Sequence, residues 1–286
     1  MFQEQSQGYS LRIFFPDNTP DGLWVVDESG WNGSALVCPR SLLHEKRNRS
    51  EFSRPGVYIL TGSKDGIIDR IYIGEGDPIL NRLIEHSTKK DFWTKVICFT
   101  AKDTSLNKAH IQYLESRLVE IATGLKIVDL DNGNKPQKPT VSEADEADLE
   151  SFLRHITRMA PVLGVSAFEE PIVTAQNYDL FLSGKGVRAT GADTAQGFLV
   201  KRGSEAVIED TPSLLESSKE LRRHLIEQGV LKLSGDKLVF QQDYVFKASS
   251  PAAEVVLGRS ENGRRAWRNS EGISLAELEE KELPTA

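Results

Sequence analysis

Two short β-prone runs, GVYIL at 56–60 and IYIG at 71–74, constrain this 286-residue chain more than any other feature. Along an extended backbone successive side chains point to opposite faces. Val57 and Ile59 therefore share one face of the first run, with Tyr58 on the other. Ile71 and Ile73 share a face of the second run, opposite Tyr72. If the runs pair, the aliphatics enter a core and both phenols project from one side. The intervening TGSKDGIIDR suits a hairpin loop, because Gly and Asp accept turn conformations. DPILNRLIEH (77–86) reads as a helix with Asp77 as N-cap and Pro78 at its first position. FWTKVICFTA (92–101) is a third strand. A second helix is expected from Ser105 as N-cap to about Ala122, with Leu114, Leu118 and Ile121 on one face and Gly124 as its stop. The four-residue spacing stacks Arg82 and His86 on one helix face, and Glu115 falls on the shoulder of the second helix's apolar stripe.

The rest of the chain divides around this unit. Residues 1–50 alternate weakly about the turn-rich PDNTPDG and read as an N-terminal β-arm, ahead of the unit at 51–140. Residues 141–174 are a connecting helix (about 143–160, with Leu149, Leu153 and Ile156 on one face) and a linker. Its first turns are acidic, as the helix dipole favours. From 175 to 286 short strands, a helix (SLLESSKELRRHLIEQG), a hairpin (VLKLSGDKLVF) and a last helical stretch near 250–257 form a separate unit. The fold class is α+β: a three-stranded antiparallel sheet flanked by helices, joined by a long helix to a second, smaller α+β domain.

Composition narrows the function classes. With 39% hydrophobic and 27% charged residues the chain is an ordinary globular protein, neither collagen-like nor mainly disordered. No apolar stretch approaches the ~20 residues that span a bilayer, and the first thirty residues carry no secretory pattern. Cys38 and Cys98 are too few for a disulfide framework, which fits a reducing cytoplasm. His44, His110, His155 and His224 have no ligand spacing with either cysteine, so no zinc is expected. The net charge of −7 is uneven. Residues 1–140 balance at 18 against 18, and 141–180 hold 2 Lys/Arg against 8 Asp/Glu. Residues 181–270 hold 14 against 11, and the tail 271–286 holds 1 against 5. The acidity sits in the connector and the tail, so both domains remain able to face a polyanion.

Taken singly, each polar candidate has an unremarkable explanation: strand tyrosines pack, and helix Arg, His and Glu face solvent. Their joint order is what matters. GVY (56–58), YIG (72–74), Arg82 and His86 within NRLIEH, and YLESRL (113–118) together resemble the GIY-YIG nuclease family over roughly residues 55–135. The first triplet reads GVY, a one-methylene change in a β-branched residue. The resemblance implies phosphodiester hydrolysis. It implies that Glu115 holds a single Mg²⁺ or Mn²⁺ whose shell is mostly water. Arg82 would take the non-bridging phosphate oxygens through its planar fork. Tyr58 or Tyr72 would orient or deprotonate the attacking water, and His86 would bond the water or the phosphate. An unperturbed phenol near pKa ~10 is a poor base at neutral pH and needs a nearby cation. The family's supporting asparagine would be Asn132, with Asn134 as the alternative.

In the second domain, residues 244–273 with SSPAAEVVLG and NGRRAW resemble a C-terminal module often attached to GIY-YIG nucleases. That module is similar in turn to one of restriction-modification proteins associated with modified DNA. Ser249 and Ser250 suit the cap of a helix begun by Pro251 and ended by Gly258. Arg259, Arg264, Arg265 and Arg268 surround Trp267, a set able to hold phosphates and stack on a base. The bland alternative makes Trp267 core and the arginines a solvated rim. The expected function is therefore a divalent-metal-dependent DNA endonuclease of restriction or phage defence, with DNA as partner and no membrane. The alternatives are a structure-specific repair nuclease, or a non-cleaving DNA-binding or regulatory protein on the same fold. One site cuts one strand, so double-strand cleavage calls for a homodimer or sequential nicking. Restriction or defence proteins are further candidate partners.

Overall fold

A computed structural model describes residues 8–64, 67–169, 179–194 and 196–282. The chain divides into two units, residues 1–169 and 170–286.

The first unit is built on one seven-stranded sheet. In chain order its elements are β1 (Leu11–Phe14), β2 (Trp24–Glu28), β3 (Gly33–Pro39), α1 (Leu43–Lys46), β4 (Gly56–Lys64), β5 (Ile67–Gly76), α2 (Ile79–Lys89), β6 (Lys95–Ala101), α3 (Lys108–Leu125), β7 (Asp129–Leu130) and α4 (Glu143–Met159). The strand order is β1-β2-β3-β6-β4-β5-β7, antiparallel except for the final β5–β7 pair. The expected three-stranded set, β4, β5 and β6, lies at its heart. The N-terminal arm is not separate: β3 pairs with β6 along its whole length, from Gly33↔Ala101 to Pro39↔Lys95. That contact joins residues some sixty positions apart, which no local pattern reports. The expected loop between the tyrosine strands is also mostly strand. Tyr58 stands opposite Gly74, pairing runs on to Lys64↔Ile67, and a register shift falls at Gly62/Ser63. Of that loop, residues 65 and 66 lie outside the described residues.

Alternation divides the sheet as expected. Val57, Ile59, Ile71 and Ile73 enter a core closed by Leu114 and Leu118 of α3 and Leu149, Leu153 and Ile156 of α4. Tyr58, Leu60, Val96 and Cys98 face the opposite core with Leu43, Phe52, Ile79, Leu83 and Trp93. Helix α4, expected as a connector, thus belongs to the first unit. Besides its apolar stripe, His155 stacks on Trp31 at 5.1 Å, and Glu28 at the end of β2 takes His155 Nδ1 at 3.1 Å together with Arg158.

The caps differ in detail from expectation. Ser142 caps α4, accepting from the Asp145 N–H at 3.1 Å. Asn107 rather than Ser105 caps α3, accepting from the His110 N–H at 3.1 Å. Gly124 lies inside α3, and left-handed Lys126 (φ 51°) ends it. Pro78 occupies the N-cap position of α2, with no side chain bonded there.

The second unit has β8 (Leu180–Gly184), β9 (Val187–Thr194), β10 (Gly197–Val200), β11 (Glu205–Ala206), α5 (Glu216–Glu227), β12 (Leu231–Ser234), β13 (Lys237–Phe240), β14 (Tyr244–Phe246), α6 (Ser249–Leu257), α7 (Gly263–Ala266) and α8 (Leu275–Glu282). They form a β14-β10-β9-β8 sheet and a β11-β13-β12 sheet over one apolar core. Gly258 (φ 60°) ends α6 as read from the sequence, whereas no side chain caps its start. Ser250 Oγ instead accepts from the Gly263 N–H at 3.0 Å, joining α6 to α7. Among the described residues, no helix is long and apolar enough to cross a membrane.

Candidate active site

Five of the six residues expected in the first unit converge. Tyr58 on β4 is completely buried and shares a 2.9 Å hydrogen bond with His86 Nε2 of α2. Tyr72, opposite Leu60 on β5, is only half-buried, and its ring lies 4.8 Å from that of His86 and 6.4 Å from that of Tyr58. A Cβ at Gly74 would meet the Tyr58 hydroxyl at 2.4 Å. The triplet's glycine is therefore the space into which the first tyrosine's hydroxyl fits.

Arg82 is half-exposed and donates to Glu85 Oε2 at 2.6 Å. Its guanidinium also acts on both phenols, favouring their ionised forms by charge and hydrogen bonding. Desolvation outweighs it: burial pushes Tyr58 far above the phenol range, and burial together with Glu115 pushes Tyr72 up. His86 is only 5% exposed, and burial, then Arg82 and Lys90, push it down to about 4. It is a neutral imidazole at physiological pH. Lys90 holds its ammonium 4.3 Å from the Tyr72 ring and pairs with Asp131, which also takes Arg70.

Glu115 enters from α3, half-buried. Burial pushes it up to about 7, the neighbouring Glu75 adds to the rise, and Arg82 and Lys108 oppose it. Glu75 itself is held by Lys108 at 2.6 Å. A desolvated carboxylate beside a second one is where a divalent cation relieves repulsion, so the residues fit the Mg²⁺ or Mn²⁺ implied by the resemblance. Among the described residues, no group of three or more His, Cys, Asp or Glu is arranged to hold a metal ion. A site with one carboxylate and a largely aqueous shell would not form such a group.

Asn132 is the exception. Its Oδ1 accepts from the Ile73 N–H at 2.9 Å and its Nδ2 donates to the Ile73 carbonyl at 2.8 Å. Both polar atoms clamp the edge of β5, so Asn132 supports the strand that carries Tyr72 and does not reach into the cluster. Asn134 is exposed. The sequence pattern does not single out Glu75, Lys90 or Lys108. Only Glu75, next to the YIG glycine, has a signal that could find it.

The cluster expected in the second unit does not assemble. Trp267 has no exposed surface, donates Nε1–H to the Ser249 carbonyl at 3.1 Å, and stands 4.6 Å from the Phe198 ring. It cannot stack on a base. Gly263 explains the close fit, since a Cβ there would lie 2.1 Å from the Ser249 backbone. Arg259 pairs with Glu261 at 2.6 Å, Arg264 with Glu279, and Arg268 donates to the Gly272 carbonyl at 2.7 Å. Arg265 is exposed, without an ion pair among the described residues.

Residues 180–279 match a family model described as a domain of unknown function, DUF4357. No curated protein and no solved structure matches the chain.

Proposed function

We propose that the chain is a divalent-metal-dependent DNA endonuclease of the GIY-YIG type, acting in restriction or defence against foreign or modified DNA. One observation carries this reading. Residues from four separate elements, Tyr58, Tyr72, Arg82 with His86, and Glu115, meet in one electrostatically coupled group. Nothing in the packing of a core requires an arginine, a neutral histidine, two phenols and a carboxylate together.

The roles follow from accessibility. Arg82, half-exposed, binds the non-bridging phosphate oxygens, exchanging Glu85 for the phosphate. Tyr72 is the phenol that water reaches, and it orients the attacking water. Tyr58 is sealed from solvent and holds His86 in place. His86, neutral and buried between the two phenols, bonds the Tyr58 hydroxyl and backs the Tyr72 ring, so its role is to orient them. Glu115 would hold the Mg²⁺ or Mn²⁺ ion, which when bound supplies charge stabilisation for the phosphate and the departing oxygen. In the second unit the exposed Arg265 offers phosphate contact, and base stacking by Trp267 forms no part of the proposal.

The test is digestion of modified and unmodified supercoiled plasmid by the full-length protein with Mg²⁺ or Mn²⁺. Nicking that stops with EDTA and with Glu115→Ala is the expected result. Equal nicking by the Glu115 variant, or in excess EDTA, overturns the metal assignment, and a wild type that binds but never nicks overturns the endonuclease.

A further inference from the structure

The segment between β3 and β4, residues 40–55, carries no motif of the proposed chemistry, yet it grips α2 at both ends. At the C-terminal end, Arg40 lies 4.9 Å over the Trp93 ring and fans its guanidinium across carbonyls. It donates to Ser87 O at 2.8 Å, Asp91 O at 3.3 Å and Trp93 O at 3.4 Å, with Asp91 Oδ1 at 3.4 Å. Trp93, buried beneath it, donates Nε1–H to the His86 carbonyl at 3.4 Å. Of these, the Ser87 carbonyl lies in the last turn of α2, at the negative end of the dipole, while the His86 carbonyl also accepts the Lys90 N–H at 3.0 Å. A guanidinium is the side chain that answers several carbonyls at once.

At the N-terminal end the Arg54 carbonyl accepts the Ile79 N–H at 3.2 Å, one of the orphan amides of α2, while Arg54 Nη1 is anchored on Ala101 O at 3.2 Å. Between the ends, Leu43 and Phe52 pack in one core with Ile79 and Leu83. Helix α2 has 11 residues, about three turns, and carries both Arg82 and His86. A helix this short is marginal by itself and takes its position from what packs on it.

We propose that segment 40–54 is a positioning clamp for α2, with Arg40 as the residue that fixes where Arg82 and His86 stand relative to Tyr58 and Tyr72. This rests on the proposed nuclease reading for its kinetic consequence but not for its structural one. Arg40 touches neither substrate nor reacting atoms, and it acts through the helix. A displacement of α2 by about 1 Å would cost on the order of 10²-fold in rate.

The experiment uses the full chain and two independent readouts. The first is the His86 imidazole signal followed by NMR through a pH titration, which needs no activity. The second is kcat and KM for plasmid nicking with Mg²⁺. In Arg40→Ala the His86 signal shifts and its titration moves up towards the ordinary range near 6.5. There kcat falls on the order of 10- to 100-fold with KM changed by no more than about twofold. Arg40→Lys restores the charge but not the fork, so it recovers only part of kcat. Trp93→Phe keeps an aromatic ring and deletes the His86 carbonyl contact, giving a smaller change in the same direction even if the alanine variant fails to fold. Arg47→Ala, removing an exposed cation bonded, among the described residues, to His44, leaves both readouts unchanged. An unmoved His86 signal in folded Arg40→Ala, or full recovery of kcat in Arg40→Lys, overturns the clamp. A wild type that never nicks DNA removes the nuclease reading alone, and the His86 comparison still decides the clamp.

Discussion

The two candidate clusters, one in each unit, treat their charged residues in opposite ways. In the first, Arg82 shares its charge between Glu85 and two phenols, Glu115 is left desolvated beside Glu75, and a neutral histidine is buried against Tyr58. These arrangements are unfavourable unless something else is gained. In the second, Arg264 sits on Glu279, Arg259 on Glu261, and the buried Arg222 on Asp210 at 2.7 Å and the Val207 carbonyl at 2.6 Å. There these three arginines are locally satisfied. Tension among titratable groups singles out a candidate site, and richness in arginine does not.

Four substitutions or conditions test that contrast. The largest stability effect belongs to the second unit: Trp267→Ala should lower its unfolding free energy by about 3–5 kcal/mol, as for other buried tryptophans. Urea titration of the full chain checks this. A variant of unchanged stability that binds DNA poorly would return Trp267 to a recognition role. Next, Arg82→Lys should reduce nicking on the order of 10²–10³-fold, since an ammonium cannot replace the fork. Near-native turnover would place Arg82 among ordinary surface arginines and erase the difference between the units.

The third effect follows from His86, whose folded pKa of about 4 lies below the unfolded value near 6.5. Between those values the unfolded chain binds the extra proton, so stability is fully present above pH 6.5 and is lost as pH falls towards 4. From pH 7.5 to 4.5 the wild-type first unit should lose about 2–3 kcal/mol more than His86→Asn, read by urea titration at each pH. Equal losses would mean that the imidazole is not held neutral. The smallest effect is expected from Arg264→Ala. It breaks an exposed pair and should cost less than about 1 kcal/mol, with DNA affinity changed by less than the loss of Arg265 causes. A large, salt-dependent loss of binding in Arg264→Ala would show that the Glu279 pairing yields to phosphate.

Much of the first unit's site was legible beforehand because it rests on short-range geometry. Strand alternation put Val57 and Ile59 opposite Tyr58, and helical spacing put Arg82 and His86 on one face. The reading failed where an outcome depended on distant partners. Asn132 has the chemistry of a site residue, but its carboxamide closes on the Ile73 backbone. Caps slipped by a residue or two because several neighbouring Ser, Asn and Pro suited the place.

The sequence alone determined the α+β class, the two tyrosine strands and the faces on which the polar candidates stand, since periods of 2 and 3.6 residues are properties of the local backbone. Only the tertiary structure decided that the N-terminal arm joins the sheet through β3 and β6. It alone seated α4 on the first core, sealed Trp267 inside the second, and set Arg40 at the end of α2. Each of these rests on contact between residues tens of positions apart. The competition for burial and for backbone hydrogen bonds is resolved there by the whole fold rather than by neighbours in the chain.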